Sequence, residues 1–530
     1  MKMRILTALF AGIISVMLLV SCQTAVVPAM SAKDTEPVKT AVQAEKTPAP
    51  SDSPSVTDDS SLAYFVNQES PQKPEYDSTG RPRYDISVTY NEKEHSAKAV
   101  ETVEYTNNTA GDLNELYMHI YPNHFSKKEY VEMSSVFGGE QGAYPNKRFN
   151  PGYIKFSGIK AADVPVEFQV QGDDLTILKI PLAQPLQKGE SIRLDLEFEI
   201  QLPERIGRFA WSETAASFAN WYPIMAVYDE DGWNLDPYYE IGDPFYSETA
   251  DYTVTIDMPE GFEAAFTGDI ISDKCENGRR VLALSETGVR DFAFVLSRDF
   301  VIKTQSVDGV EIRAAVPEDK QNTADDVLAY AVKAISLYNK LFGMYTNDTF
   351  SVVFSDLGSY SGMEYPGLVI LDAGILDEDL NTGALEQIEV HEIAHQWWYS
   401  AVGNDEIDEG WLDESLTCFS TEVYFSADER DITFPMMEPF NSTKLGQSLP
   451  EFGDWDRYAY VYTFGPSFYK TMMAYMGKES FYTMLQNYYS EYIYGIATAE
   501  DLRNLIKTYG NDTALKWFDQ CVYGEPDKST

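Results

Sequence analysis

The sequence predicts an α+β protein of more than one domain: an all-β first half, then a mainly helical second half carrying a small mixed sheet. Two patterns carry this reading. From about Tyr84 to Phe300 apolar residues alternate with polar ones, whereas after Gly309 they recur at helical spacing. The chain has 530 residues, 44% hydrophobic and 13% aromatic, enough for two or three domains with substantial cores.

In the first half, Tyr84, Ile86, Val88 and Tyr90 form one alternating run. Ile192, Leu194, Leu196, Phe198 and Ile200 form a second, and Tyr252, Val254, Ile256 and Met258 a third. Such runs, separated by Gly, Pro and Asp turns, describe strands of a sheet with one wet face. In the second half Thr323 stands where it can cap a helix. Leu328, Val332, Ile335, Tyr338 and Phe342 then repeat at helical spacing, and Gly343 is placed as the stop. The segment TFSVVFSD reads as a strand, and from about Thr382 onward most of the chain reads as helix. The expected division is a β domain over 76–303 and a helical domain over 304–530.

Residues 1–22 read as a targeting device, in which Lys2 and Arg4 precede an apolar run from Ile5 to Val20. That run is too short and wrongly flanked for a permanent span. It ends in Leu19-Val20-Ser21-Cys22, which resembles the lipobox of bacterial lipoproteins. The resemblance implies cleavage before Cys22, a lipid on its sulfur, and residence on the outer face of the bacterial cell membrane. The alternative is an ordinary secretory signal containing a chance cysteine. Residues 23–75 are rich in Ala, Pro, Ser, Thr, Lys and Asp without apolar periodicity. Such a segment cannot offset its ordering entropy by burial and is expected to be a flexible tether.

Forty basic residues stand against 84 acidic ones, a formal charge of −44 that argues against a nucleic-acid partner. Beyond Cys22 only Cys275, Cys418 and Cys521 remain, which is no disulfide framework. At most one pair can form, and three buried thiols are expected.

The stretch HEIAHQWW, residues 391–398, holds two of the chain's five histidines. Helical periodicity covers 384–402, so His391 and His395 share a face one turn apart, a spacing suited to one zinc ion. Glu392 can then lean toward a water on the metal. Eighteen residues after His395 comes Glu414, within EGWLDESLTCF. Burying a carboxylate alone in such an apolar setting costs roughly several kcal/mol, so a cation is its natural companion. Two histidines and one carboxylate leave a fourth position for water, the pattern of a catalytic zinc.

HExxH, eighteen residues, then W-L-D-E-S resembles the gluzincin metallopeptidases of the M1 aminopeptidase family, whose usual form is W-L-N-E-G. SGMEYPG, 361–367, stands where that family carries G-A-M-E-N, and YTFGPSFYKTMMAYMGKESF resembles its helix beginning Y-x-K-G. The resemblance implies a saddle-like β domain followed by a thermolysin-like catalytic domain. It implies one Zn2+ per chain on His391, His395 and Glu414, and aminopeptidase action on peptides with a free N-terminus. It also implies Glu392 as general base, Tyr462 as donor to the oxyanion and Glu364 as partner of the substrate α-ammonium. Gly362, with its strand, would pair with the extended peptide backbone.

Three departures bear on these roles. Tyr365 replaces the usual asparagine, Phe464 stands where lysine is frequent, and Tyr458 and Tyr460 lie close enough to compete with Tyr462. Many members continue into a large helical domain; with this chain ending at Thr530, a more open site is expected. Cys418, four residues after Glu414, is expected to be a small buried residue beneath the site. Two other readings stay open: a zinc endopeptidase or other amide hydrolase, and a catalytically silent, lipid-anchored peptide-binding protein.

Overall fold

The computed structural model describes residues 72–134, 148–358, 360–377, 383–427 and 443–524. Cys22, the targeting segment and nearly all of the tether lie outside the described residues. Among the described residues no helix is long and apolar enough to cross a membrane.

The first half is built on an eight-stranded sheet. Its order is Asp269–Glu276, Arg279–Val289, Ala250–Pro259, Arg83–Asn91, Ser96–Thr106, Ser191–Gln201, Tyr153–Ala161 and Val164–Pro165. All three alternating runs are strands of this sheet. Tyr84, Ile86, Val88 and Tyr90 point inward while their neighbours are exposed, as period two requires of a sheet with one wet face. Two of the runs, Arg83–Asn91 and Ala250–Pro259, pair in parallel, a crossover that brings sequence-distant segments side by side. Two four-stranded sheets and a two-stranded ribbon complete this half, and most of its inward side chains form one core.

A five-stranded mixed sheet opens the second half, in the order Phe300–Val307, Val310–Pro317, Thr349–Ser355, Leu368–Asp372 and Gly362–Met363. Phe300–Val307 pairs along its whole length with Val310–Pro317, so the strand crossing residues 303 and 304 belongs entirely to this sheet. Gly362–Met363 lies at the edge, paired antiparallel to Leu371 and Ile370. Helices Ala324–Leu341, Ala384–Ala394, Trp411–Ser426 and Trp455–Met476 pack around this sheet or on one another and share a second core.

Two expected helix ends differ in detail. Thr323 occupies the cap position of Ala324–Leu341, but its hydroxyl makes no capping bond, because a 3-10 turn, Glu318–Thr323, runs straight into the helix. The helix expected over 384–402 ends at Ala394, with His395 as its C-cap. Beyond it the chain reverses: the Ser400 N–H returns to the His395 carbonyl at 3.0 Å, and Tyr399 takes a positive φ of 121°. This turn lets two consecutive buried indoles find separate partners. Trp397 Nε1 donates to the Gly343 carbonyl at 2.7 Å and Trp398 Nε1 to Ser420 Oγ at 2.9 Å.

Candidate metal centre

The histidine helix, Ala384–Ala394, packs against the glutamate helix, Trp411–Ser426, and against the edge-strand pair. The tyrosine helix, Trp455–Met476, crosses the glutamate helix at Gly465, where a Cβ would lie 2.3 Å from that of Ser415. Ser415 Oγ fastens the crossing by donating to the Val461 carbonyl at 2.9 Å. Glycine at this one helical position permits the approach that brings Tyr462 to the site.

His391 Nε2 and His395 Nε2 lie 3.3 and 3.4 Å from the same atom, Oε2 of Glu414. His395 Nδ1 is 3.1 Å from the Trp398 carbonyl, which only accepts, so Nδ1 carries a proton and Nε2 is the nitrogen left to ligate a metal. Glu414 Oε2 is buried and has no hydrogen-bond partner. Two imidazole nitrogens and one carboxylate oxygen converging on one point, with a fourth position left for water, fit a zinc ion. Thr417 Oγ1 and Asp413 Oδ2 flank the same Nδ1 at 3.2 and 3.4 Å, and Cys418 Sγ lies 3.8 Å from His391 Nδ1. Cys418 is therefore a buried neighbour of the His391 ring, as expected, and Cys521 is buried too. Cys275 corrects the expectation of three buried thiols: it is exposed, because its strand forms the edge of the eight-stranded sheet.

Glu392, Glu364 and His395 converge in a second group whose ligand atoms lie within 4.8 Å of one another. The three carboxylates Glu364, Glu392 and Glu414 are only 4%, 5% and 4% exposed. Burial raises Glu392 to about 8, with the charges of Glu414 and Asp243 adding to the effect and His395 opposing it. Burial likewise lifts Glu364 well above the usual carboxylate range, with Asp243 the next largest influence. Glu414 goes the other way: burial pushes it up, but the two histidines outweigh that and hold it at about 2.

Of the three candidate tyrosines, Tyr462 is the one that reaches the donor set, its hydroxyl donating to Glu414 Oε1. Tyr460 is buried against Phe464, the rings stacked 4.8 Å apart, which accounts for Phe464 where lysine is frequent. Tyr458 is fully buried between Trp455 and Phe452.

Several site residues carried no signal in the sequence. Gln396 holds the loop bearing Glu364: its Oε1 accepts the Gly367 N–H at 2.9 Å, and its Nε2 donates to the carbonyls of Glu364 and Tyr365 at 3.3 Å each. Tyr365 is anchored in the β half, where its hydroxyl donates to Asn220 Oδ1 at 2.8 Å and Asn220 donates to Asp291 Oδ2 at 2.7 Å. Asp243 is the acid of the β half whose charge acts on Glu364, and it is itself paired with the buried Arg208.

Residues 327–451 match the Peptidase family M1 domain. Over these residues the chain is similar to peptidase family M1. Among similar proteins, Aminopeptidase M1-D of Oryza sativa subsp. japonica is 23% identical over 66% of this chain and 42% of its own length. Aminopeptidase M1 of Arabidopsis thaliana is 22% identical over 48% and 32% respectively. The chain thus spans about two fifths of the length of the first of these relatives and less of the other. The M1 zinc metallopeptidase of Deinococcus radiodurans superposes with a TM-score of 0.58 over 83% of this chain and 93% of that one, at 16% identity. A mutant of the Deinococcus protein bound to a Tyr-Ser-Ala substrate gives 0.59 over the same shares. At that identity the likeness is one of fold, a β-rich domain followed by a helical one.

Proposed function

We propose that this chain is a zinc aminopeptidase that removes residues from the free N-termini of peptides. The observation that carries the reading is the convergence of His391, His395 and the unpartnered Glu414 Oε2 beside two further buried carboxylates, Glu392 and Glu364. The rice relative's name, aminopeptidase, and the Tyr-Ser-Ala substrate in the Deinococcus structure support it.

His391, His395 and Glu414 would hold the zinc, which when bound supplies Lewis acidity to the attacking water and the scissile carbonyl. Glu392 takes the water's proton and returns it to the leaving amine, a role suited to a carboxyl whose affinity for protons is raised by burial. Tyr462 donates its hydroxyl hydrogen to the developing oxyanion, leaving Glu414 as it does so. Glu364 pairs with the substrate α-ammonium, and that charge relieves the mutual repulsion of Glu364 and Asp243. The edge strand Gly362–Met363 offers its free side to the peptide backbone. Export and anchorage through a lipid on Cys22 belong to the same proposal, carried by Leu19-Val20-Ser21-Cys22. Metabolic labelling with a fatty acid that persists in Cys22→Ser would remove that part.

The deciding experiment compares one alanine-initiated peptide with its N-terminus free and acetylated. The zinc-loaded protein is expected to cut only the free form, one residue at a time, and Glu364→Gln to narrow the difference. Equal cleavage of both by the unsubstituted protein would favour the endopeptidase reading.

A further inference from the structure

Arg290 belongs to the β half, yet two of its three carbonyl partners lie in the helical one. It is 2% exposed, and among the described residues its partners are backbone carbonyls. Nη1 donates to Ser247 O at 2.9 Å, Nη2 to Gly495 O, and Nε to Tyr399 O at 2.8 Å. Gly403 leaves the room for this: a Cβ there would lie 2.1 Å from the guanidinium carbon.

Tyr399 is the strained member of the group. Its φ of 121° is one that a bulky side chain adopts only when its surroundings enforce it. On one side of that torsion stands the carbonyl held by Arg290; on the other stands the peptide whose carbonyl, that of Trp398, accepts the His395 Nδ1 proton at 3.1 Å. Relaxation of Tyr399 toward negative φ rotates this peptide and withdraws the Trp398 carbonyl. The Nδ1 proton then turns to Thr417 Oγ1 or Asp413 Oδ2, which wait at 3.2 and 3.4 Å, and the ring tilts with it.

We propose that Arg290 is a positioning residue for the metal centre: by pinning the Tyr399 carbonyl it keeps Trp398 O on His395 Nδ1 and so aims the Nε2 lone pair at the cation. This rests on the zinc reading above. It gives the two halves of the protein a joint part in the site, since the β half then supplies an orienting group for a metal ligand carried by the helical half.

The test uses the full chain and two substitutions. Arg290→Lys keeps a cation but cannot serve three carbonyls, whereas Gly403→Ala leaves Arg290 in the sequence and displaces its guanidinium. The readouts are zinc affinity by chelator competition, the visible absorption spectrum of the Co2+-substituted protein, and thermal unfolding of the metal-free protein. Both variants are expected to bind zinc about 10- to 100-fold more weakly, the usual effect of losing an orienting partner, and to shift the cobalt bands. If either folds and shows unchanged affinity and spectrum, however lowered its melting temperature, Arg290 only fastens the halves together and the inference is overturned. If the unsubstituted protein takes up neither metal, the zinc reading itself fails.

Discussion

Gly362 stands directly over Glu392: a Cβ on Gly362 would lie 2.1 Å from Glu392 Oε1 and 2.5 Å from its Cγ. The φ at this glycine is unexceptional, so the demand is for space. Glu392 lies beneath the strand because its neighbour has no side chain. Gly362→Ala is therefore expected to push the carboxylate aside while leaving both histidines where they are. Activity should fall about a hundredfold, the scale of a 1 Å misplacement, with zinc stoichiometry preserved. Loss of zinc along with activity would mean that the strand supports the metal rather than the base.

The Tyr462 hydroxyl donates to Glu414 Oε1 in the absence of substrate. Burial and the nearby Glu414 charge both raise its pKa, so it stays protonated and able to donate throughout the neutral range. Tyr462→Phe is expected to lower kcat by roughly a hundred- to a thousand-fold, the usual consequence of removing one oxyanion donor, with little change in KM. A drop confined to KM would assign the hydroxyl to substrate binding.

The buried carboxyls predict how the metal-free protein responds to pH. Glu392 is raised to about 8, and Glu364 and Glu406 well above the usual range, in each case first by burial. A folded-state pKa above the unfolded value means that the folded protein binds protons more tightly. The resulting stability is present at low pH and lost as pH rises through the folded pKa values. Glu414, held at about 2, has the opposite sign, but its contribution is lost only on acidification below the ordinary carboxylate range. The melting temperature of chelator-treated protein should thus fall between about pH 5 and 8. Added zinc should flatten the decline by favouring the ionised carboxylates. A melting temperature that rises over this range without metal would contradict these assignments.

Cys418 Sγ sits 3.8 Å from His391 Nδ1 and is buried, with its thiol pushed up by burial and by the Glu414 charge. It is a neutral neighbour rather than a thiolate ligand. Cys418→Ala is expected to retain one zinc per chain, measured by metal analysis of the purified protein. Loss of zinc from a folded variant would make the sulfur part of the centre.

Much of the fold was legible locally. The run from Tyr84 to Tyr90 alternates because one face of its sheet is wet, and the strands around it follow the same period. The histidine pair was legible for a similar reason, since four residues make one helical turn. The end of that helix was not: Ala394 gives way to a reversal because Trp397 and Trp398 seek partners on different segments, Gly343 and Ser420. Among Tyr458, Tyr460 and Tyr462, spacing alone leaves the choice open. The structure decides it: helices cross closely at Gly465 and Ser415, and of the three hydroxyls it is that of Tyr462 that reaches Glu414.

By itself the sequence determined the zinc-ligand candidates, a candidate base beside them and the order of a β-rich half before a helical one. The histidine pair and the two halves are written in short-range periodicity, which the backbone geometry of strand and helix imposes on any chain. Glu414 and the base role came from an apolar setting and a motif resemblance. Only the tertiary structure decided that the charge of Asp243 acts on Glu364, that Tyr365 is tied to Asn220, and that Arg290 reaches the turn after His395. Those partners come from segments with no local pattern linking them, and they meet because packing two cores together leaves buried charges and backbone carbonyls that must find each other.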